Sequence, residues 1–289
     1  MYYDMPLYRP PSEAESLIFQ ATLGCSHNRC AFCIAYRRKK FRIRPWENLK
    51  SDILEMALSY RGASRIFLAD GDALAIDTDY MLQILNFLYE KFPALERVSA
   101  YAGPSNLLEK SKEELQRIHE AGLQMLYFGI ETGDGELLLT VKKGATSQEL
   151  IDGAKKAIDA GFVLSATVIL GLGGKKGSER HAIETARVCS AINPHYLSAL
   201  TLMIEDDNQY FYRCLGKDWE MMDKLEILNE LRTMIEHFHL DKCIFRSNHA
   251  SNYLAIKATL NHDKERLLKE IDNALKNPAQ LRPEFLRAL

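Results

Sequence analysis

The sequence predicts an α/β fold, a partial (β/α)₆ barrel of the TIM type, and three observations support this. Apolar strand-like runs alternate with amphipathic helical segments, as in parallel βα units. Six such pairs follow one another, fewer than the eight of a complete barrel. The 289 residues are enough to bury one large core in a single domain.

The individual elements follow from short apolar runs and from the helical periodicity between them. Strands are predicted at Leu17–Leu23, Arg65–Ala69, Arg97–Tyr101, Met125–Ile130, Val163–Leu170 and Tyr196–Leu202. Helices are predicted at Leu49–Tyr60, Asp79–Lys91, Lys112–Ala121, Ser147–Ala160, Ser178–Ala191 and Trp219–Phe238. Gly122 and Gly161 stand at helix-stop positions after the third and fourth of these helices.

The domain organisation is predicted to be simple. Residues 1–16 form an extended N-terminal segment, and residues 17–242 form the barrel core. Residues 243–289 contain a short strand, Cys243–Arg246, and a helix, Lys264–Leu275. This last stretch is too small for a second domain, so we expect it to close the barrel bottom or one edge within the same domain.

Composition narrows the class of protein. Apolar residues make up 47% and charged residues 26%, as in an ordinary globular protein. The net charge of −2 argues against indiscriminate binding to nucleic acid or to anionic membranes. The longest apolar stretch, about Phe162 to Leu172, is too short to span a bilayer, and residues 1–6 lack a secretory signal. Six cysteines in this pattern do not indicate a disulfide framework, so we expect a reducing cytoplasm.

Three of the cysteines, Cys25, Cys30 and Cys33, lie in one short run after the first predicted strand. Three thiolates can hold three irons of a four-iron cube and leave the fourth iron for a small molecule. Zinc is the competing interpretation, since His27 would complete a set of four ligands. Structural zinc sites, however, typically join two separated ligand pairs, and the position after a first barrel strand favours iron and sulfur.

Two motifs resemble those of the radical S-adenosylmethionine (radical SAM) superfamily. The cysteine run resembles its cluster loop, including an aromatic residue, Phe32, before the last cysteine, although four residues instead of the commonest three separate the first two cysteines. Gly-Ile-Glu-Thr-Gly at residues 129–133 resembles a segment of the branch that includes methylthiotransferases and the Elongator catalytic subunit. The resemblance covers roughly Leu17 to Leu202.

This resemblance implies two cofactors and a reaction. A four-iron four-sulfur ([4Fe-4S]) cluster would cleave S-adenosylmethionine (SAM) reductively to methionine and a 5′-deoxyadenosyl radical, which abstracts hydrogen from a substrate. Such an enzyme is oxygen-sensitive. The reaction type after hydrogen abstraction stays open. Two other classes also stay open: an iron–sulfur electron carrier or sensor without catalysis, and a structural zinc protein.

The resemblance also implies which residues would contact SAM. Gly71 and Asp72 follow the second strand, where a glycine-rich turn binds the methionine amino group; the plain alternative is an ordinary turn. Glu131 would accept hydrogen bonds from the ribose hydroxyls. Lys142 or Lys143 would pair with the SAM carboxylate, unless both belong to a solvated face. The remaining expected contacts lie near the cluster or along the fifth and sixth strands: Phe32, Ile169, Gly171 and Thr201.

The substrate side is predicted in the polar segment after Cys243–Arg246. If this segment is extended, alternation places Arg246, Asn248 and Asn252 on one face, with His249 on the other face or turned inward. The alternative is a polar turn that caps the following helix. The substrate would be a small molecule or a peptide.

The basic run Arg37–Arg44 directly follows the cysteine loop. It is either a solvated face or a docking surface for an acidic reductant such as flavodoxin or ferredoxin, or for a phosphorylated substrate. Cys189, Cys214 and Cys243 are scattered along the chain and are expected to be ordinary packed thiols.

Overall fold

The structure is a computed structural model that describes residues 2–204 and 208–288. Within these residues the strands are β1 (Leu17–Gln20), β2 (Thr22–Leu23), β3 (Arg42–Ile43), β4 (Arg65–Ala69), β5 (Arg97–Ala102), β6 (Leu123–Glu131), β7 (Val163–Leu170), β8 (Tyr196–Thr201), β9 (Cys243–Arg246) and β10 (Lys257–Leu260). The α-helices are α1 (Trp46–Ser59), α2 (Thr78–Lys91), α3 (Pro104–Glu109), α4 (Lys112–Glu120), α5 (Gly135–Thr140), α6 (Ser147–Asp159), α7 (Gly174–Ile192), α8 (Gln209–Leu215), α9 (Lys224–His237) and α10 (Lys264–Lys276). No helix in this part of the chain is long and apolar enough to cross a membrane.

The chain forms two compact units. The first unit comprises residues 1–29, 33–128 and 152–164, and the second comprises residues 30–32, 129–151 and 165–289. The boundary between the units falls inside β6 and inside β7 along the chain.

In the first unit, β1, β4, β5 and the first part of β6 pair in parallel in that order. Their apolar side chains form a core that includes the fully buried rings of Phe19 and Phe67, and the buried ring of Phe92, which follows α2, packs against Phe19. Helix α2 buries one face at helical spacing, including Met81 and Leu85, because these residues lie on the same side of the helix. Parallel pairing directs the carboxyl ends of all these strands to one edge.

In the second unit, β7, β8 and β9 pair in parallel, and β10 pairs antiparallel with β9. Helix α9 packs against α7 and α10. Helix α9 begins at Lys224, later than the predicted Trp219, because Asp223 and Glu226 form a capping box there. The Trp219 ring packs instead against Phe211, with ring centroids 4.9 Å apart.

The first predicted strand is divided in the structure. Residues of β1 pair with β4, whereas Thr22 and Leu23 form β2 and pair antiparallel with β3. The change occurs at Ala21, whose N–H donates to the carbonyl of Ala69 at 2.7 Å. The segment that carries the first cysteine therefore begins at a small two-stranded ribbon.

Candidate cofactor-binding sites at the strand ends

The six cysteines differ in exposure. None forms a disulfide, and Cys25 and Cys33 in the first unit and Cys30 and Cys214 in the second are partly exposed. Cys189 and Cys243 are buried, and burial raises the pKa of both thiols, that of Cys243 to about 12. Metal binding requires the thiolate, so the loop cysteines are suited to it and the buried pair is inert.

In the first unit, Asp70 fixes the start of the cysteine loop. Its side chain is fully buried, and one oxygen, Oδ2, accepts hydrogen bonds from the Gly24 N–H at 3.0 Å and from Lys39 Nζ at 2.9 Å. The other oxygen accepts from Gln20 Nε2 at 3.0 Å. Lys39 is almost as buried as Asp70, with 5% of its side chain exposed. Both carboxylate oxygens are therefore satisfied by the protein itself.

Gly71 lies against the same loop. Its N–H donates to the Gly24 carbonyl at 3.0 Å. A Cβ at this position would lie 2.5 Å from Cε2 of Tyr36 and 3.0 Å from Cβ of Cys25. Such contacts are too short for any other residue, so glycine is required here for close packing.

Asp72 differs from Asp70 because one of its oxygens lacks a partner. The side chain is buried, and Oδ2 accepts hydrogen bonds from the Ser26 hydroxyl and from Asn106 Nδ2. Among the residues that the structure describes, nothing donates to Oδ1. Burial raises the pKa of the Asp72 carboxyl, opposed by the hydrogen bonds from Ser26, Asn106 and the Gly103 backbone. A buried acceptor without a donor is costly and marks a place for a ligand.

In the second unit, Glu131 ends β6 in a left-handed backbone conformation with φ of 63°. Its Oε1 accepts a hydrogen bond from Lys143 Nζ at 3.0 Å, and both side chains are largely buried. A Cβ on Gly129 would lie 2.0 Å from the same Oε1. The glycine therefore makes room for the ion pair.

A buried histidine that the sequence did not single out connects the ends of β6 and β7. His181 Nε2 lies 3.0 Å from the carbonyl of Ile169, and Nδ1 lies 2.8 Å from the hydroxyl of Thr132. Because a carbonyl only accepts, Nε2 carries a proton and donates it to the Ile169 carbonyl. His181 thus holds the two strand ends that carry Glu131 and Ile169.

Glu230 on α9 is the second residue that the sequence did not reveal. Its Oε1 accepts from the Gly171 N–H at 2.6 Å, and its Oε2 accepts from the Ser178 hydroxyl at 2.6 Å. The same Oε1 lies 3.7 Å from His181 Nε2. A lone glutamate on an amphipathic helix gives no sequence signal, and only its complete burial identifies it.

Phe32 and Ile169, both predicted to lie near the cofactor, pack against one apolar cluster of the second unit. Ala31 belongs to this cluster, and its N–H donates to the carbonyl of Val141 at 2.8 Å. Asn208 Nδ2 donates to the Ala31 carbonyl at 3.4 Å. The middle of the cysteine loop is therefore held by backbone and side-chain contacts.

Thr201, at the end of β8, contacts the predicted substrate segment. Its hydroxyl donates to Asn252 Oδ1 at 2.9 Å, and its N–H donates to the Ser251 hydroxyl at 3.2 Å. Asn252 Nδ2 donates to the Ala199 carbonyl at 2.7 Å. Asn252 is thus buried against β8 and its amide is occupied by the protein.

Of the two conformations left open after β9, the extended one is not found. Residues 247–256 form the turn between the antiparallel strands β9 and β10, in which the Asn252 N–H donates to the His249 carbonyl at 3.0 Å. Arg246 and Asn248 are consequently exposed, whereas Asn252 is buried. His249 is half-buried beside Ser251, and burial, together with the Arg282 charge, lowers its pKa.

The basic run after the cysteine loop is divided between buried and exposed charges. Lys39 pairs with Asp70, and Arg44 pairs with Asp52 at 2.7 Å. Arg38, Lys40 and Arg42 are exposed. These exposed cations are the ones best placed to contribute to a docking surface.

Within residues 2–204 and 208–288, no three His, Cys, Asp or Glu side chains are grouped as the ligands of one metal ion. A four-iron cluster distributes its thiolates over separate irons, so its ligands lie farther apart than those of a single ion.

Comparison with known proteins identifies the family. The sequence model of the radical SAM superfamily matches residues 19–188. The chain is 25% identical over 154 residues to the heme chaperone HemW of Bacillus subtilis, covering 53% of this chain and 40% of that protein. It is 27% identical over 156 residues to a putative methylthiotransferase of Methanocaldococcus jannaschii, covering 51% and 33%. The chain thus spans well under half of these curated relatives.

Solved structures support the fold. HemN of Escherichia coli, described as coproporphyrinogen III oxidase and a radical SAM enzyme, gives a TM-score of 0.56 at 18% identity, covering 76% of this chain and 52% of that one. Methylornithine synthase gives 0.53 at 18% identity, covering 78% and 64%. The predicted fold class, α/β and of the radical SAM partial-barrel type, is confirmed by this likeness. The chain belongs to the radical SAM superfamily.

Proposed function

We propose that this protein is a radical SAM enzyme that uses Cys25, Cys30 and Cys33 to hold a [4Fe-4S] cluster. When bound, the cluster and SAM supply a 5′-deoxyadenosyl radical that abstracts hydrogen from the substrate. The observation that carries the proposal is the unpartnered Oδ1 of Asp72, a buried acceptor in the turn after β4. Family membership supports the identity of the two cofactors.

The residues fit these groups. The three loop cysteines are in no disulfide and are partly exposed, which suits thiolate ligands of a cluster. The tight packing at Gly71 brings the turn after β4 against Cys25. Asp70 and Lys39 hold the start of the loop in place independently of any cofactor.

Asp72 and Gly71 would bind the methionyl end of SAM. An ammonium group donates to carboxylate and carbonyl oxygens, and Oδ1 of Asp72 offers a buried acceptor of negative charge. Ser26 and Asn106 orient the carboxylate by donating to its Oδ2. A bound ammonium would offset the burial that raises the pKa of Asp72.

Glu131 and Lys143 would bind other parts of SAM in the second unit. The Glu131 carboxylate accepts hydrogen bonds from ribose hydroxyls, and Lys143 attracts the SAM carboxylate. Ile169, Gly171 and Thr201 offer apolar surface and backbone groups for the adenosine, and Phe32 adds an aromatic face. His181 and Glu230 hold the backbone at Ile169 and Gly171 and so orient this surface.

Substrate handling is proposed for Arg246, Asn248, His249 and Asn252. Arg246 and Asn248 are exposed and available to a small molecule or peptide. Burial and the Arg282 charge lower the pKa of His249, so its ring stays neutral over a wider pH range. A neutral imidazole can both donate and accept a hydrogen bond. Asn252 acts by holding Thr201.

A flavodoxin- or ferredoxin-type protein is proposed as the electron donor, which fits a reducing cytoplasm. Arg38, Lys40 and Arg42 form the exposed part of the basic run and would attract an acidic partner. Such attraction is weakened by salt.

The test is anaerobic reconstitution with iron and sulfide, reduction with dithionite, addition of SAM and assay of 5′-deoxyadenosine. We expect product from the wild type, none above background from Cys30→Ala, and near wild-type product from Cys214→Ala, which removes a thiol outside the loop. Full turnover by Cys30→Ala would refute the cluster assignment. A cluster without 5′-deoxyadenosine would indicate an electron carrier or sensor, and stoichiometric zinc would indicate a structural zinc protein.

A further inference from the structure

Tyr36, three residues beyond Cys33, carries a buried hydroxyl without a partner. The residue is 6% exposed, and nothing among the described residues exchanges a hydrogen bond with its hydroxyl. Buried tyrosine hydroxyls normally find a partner, because leaving one unpaired is unfavourable. The unpaired hydroxyl therefore points to a group that binds there.

The position of this hydroxyl is fixed by the first unit. The Tyr36 carbonyl accepts from Asn28 Nδ2 at 2.8 Å and from the Lys39 N–H at 2.9 Å. The ring packs on Gly71, where an added Cβ would lie 2.5 Å from ring atom Cε2 and 3.0 Å from Cβ of Cys25. Tyr36 and Cys25 thus flank the same glycine.

The hydroxyl is suited to donate a hydrogen bond. Burial, the largest effect, raises the pKa of Tyr36, so the phenol keeps its proton and remains a hydrogen-bond donor. Because the Tyr36 ring and Cβ of Cys25 lie against the same glycine, an acceptor bound by Cys25 would arrive close to this ring.

We propose that the Tyr36 hydroxyl donates a hydrogen bond to a sulfur atom of the iron–sulfur cluster held by Cys25 and Cys33 and thereby raises its reduction potential. The inference rests on the proposed function. Hydrogen bonds to cluster sulfurs are one of the features that set cluster potentials, because they stabilise the more negative reduced state. Tyr36 is a positioning and tuning residue and does not take part in the chemistry on the substrate.

The test is a redox titration of the reconstituted protein without SAM, following the one-electron reduction by dithionite through the electron paramagnetic resonance signal. Tyr36→Phe keeps the ring and removes the hydroxyl. We expect its midpoint potential to fall by an amount on the order of a tenfold change in the reduction equilibrium, which is about 59 mV for one electron. Tyr8→Phe is the matched control: Tyr8 meets the Tyr36 ring edge-on at 6.0 Å, is 41% exposed, and should leave the potential unchanged.

A second measurement separates tuning from a structural role. Thermal unfolding of the cluster-free protein should give Tyr36→Phe a midpoint at least as high as that of the wild type, because no protein partner is lost. A lower unfolding midpoint, an unchanged potential, or a change confined to SAM affinity would each overturn the inference and leave the proposed function standing. A wild type that takes up no cluster would overturn both.

Discussion

The turn after β4 and the end of β6 both place carboxylates at the carboxyl ends of strands, but they satisfy them differently. After β4, Asp70 is fully paired within the protein, whereas Asp72, two residues later, keeps one oxygen without a donor. At the end of β6, the Glu131 carboxylate already forms an ion pair with Lys143.

The difference shows two ways of combining stability with ligand binding. The first turn separates the roles, because Asp70 stabilises the loop and Asp72 is left for a ligand. The end of β6 combines the two roles in one residue, since a ligand at Glu131 must share the carboxylate with Lys143 or displace Lys143. Substitutions in the first turn should therefore change either stability or affinity, and those at Glu131 and Lys143 should change both.

The largest expected effect is on stability at Lys39. Lys39→Met leaves the buried Asp70 without its cation, which should lower the free energy of unfolding by about 3–5 kcal/mol. Lys40→Met is the control, because Lys40 is exposed and its loss should cost less than about 0.5 kcal/mol. Urea denaturation of the two cluster-free variants measures both. Equal losses would show that Asp70 has no special structural role.

The next effect is on affinity at Asp72. Asp72→Asn removes the negative charge facing the SAM ammonium, and hydrogen bonds to charged groups contribute about 1.5–3 kcal/mol. SAM should then bind about 10- to 100-fold more weakly to the unreduced, cluster-loaded protein, as measured by equilibrium dialysis.

The control for Asp72→Asn is Asp79→Asn, whose carboxylate is 86% exposed on α2 and should leave the affinity unchanged. Two outcomes would contradict the separation of roles in this turn. One is a SAM affinity of Asp72→Asn that equals the wild-type affinity, and the other is unfolding of Asp72→Asn at a lower urea concentration than the wild type.

A smaller, double effect is expected at Lys143. Lys143→Met leaves Glu131 largely buried without its partner, so the free energy of unfolding should fall by about 1–3 kcal/mol. SAM affinity should fall as well, which distinguishes this end from the turn after β4. Lys142→Met serves as the control, because its ammonium is exposed and its cation–π contact with Tyr210 at 5.0 Å is worth about 0.5–1 kcal/mol. A loss of affinity at unchanged stability would refute the shared role.

Most of the strand pattern could be predicted from the sequence. The bounds of β4, β7 and β9 match the predicted runs, because each is a short apolar stretch between polar residues. The elements that the sequence does not predict are short: β3, β10, α3, α5 and α8 each span two to seven residues. Segments of that length carry too few residues for a period to be detected, and their conformation depends on neighbouring elements.

The candidate sites divide in the same way. A nine-residue run revealed the cysteine loop, and a five-residue motif revealed Glu131, because both signals are local. His181 and Glu230 escaped detection, since their partners Thr132 and Gly171 lie 49 and 59 residues away along the chain. Lys39 lies within a basic run of the sequence, which predicts an exposed charge. Only the tertiary structure shows that Lys39 is buried against Asp70.

The smallest expected effect is a dependence of stability on pH at Asp72. Burial raises the pKa of Asp72 in the folded protein above its ordinary value of 3.8, so the folded state holds the proton more tightly than the unfolded chain. The resulting stabilisation is fully present below 3.8 and is lost as the pH rises through the raised value. Asp72→Asn does not titrate, so its stability relative to the cluster-free wild type should increase with pH over this window. Urea denaturation at a series of pH values measures the difference in the free energy of unfolding between Asp72→Asn and the wild type. A difference that does not change with pH, or that decreases, would show that Oδ1 of Asp72 already has a hydrogen-bond donor in the absence of a ligand.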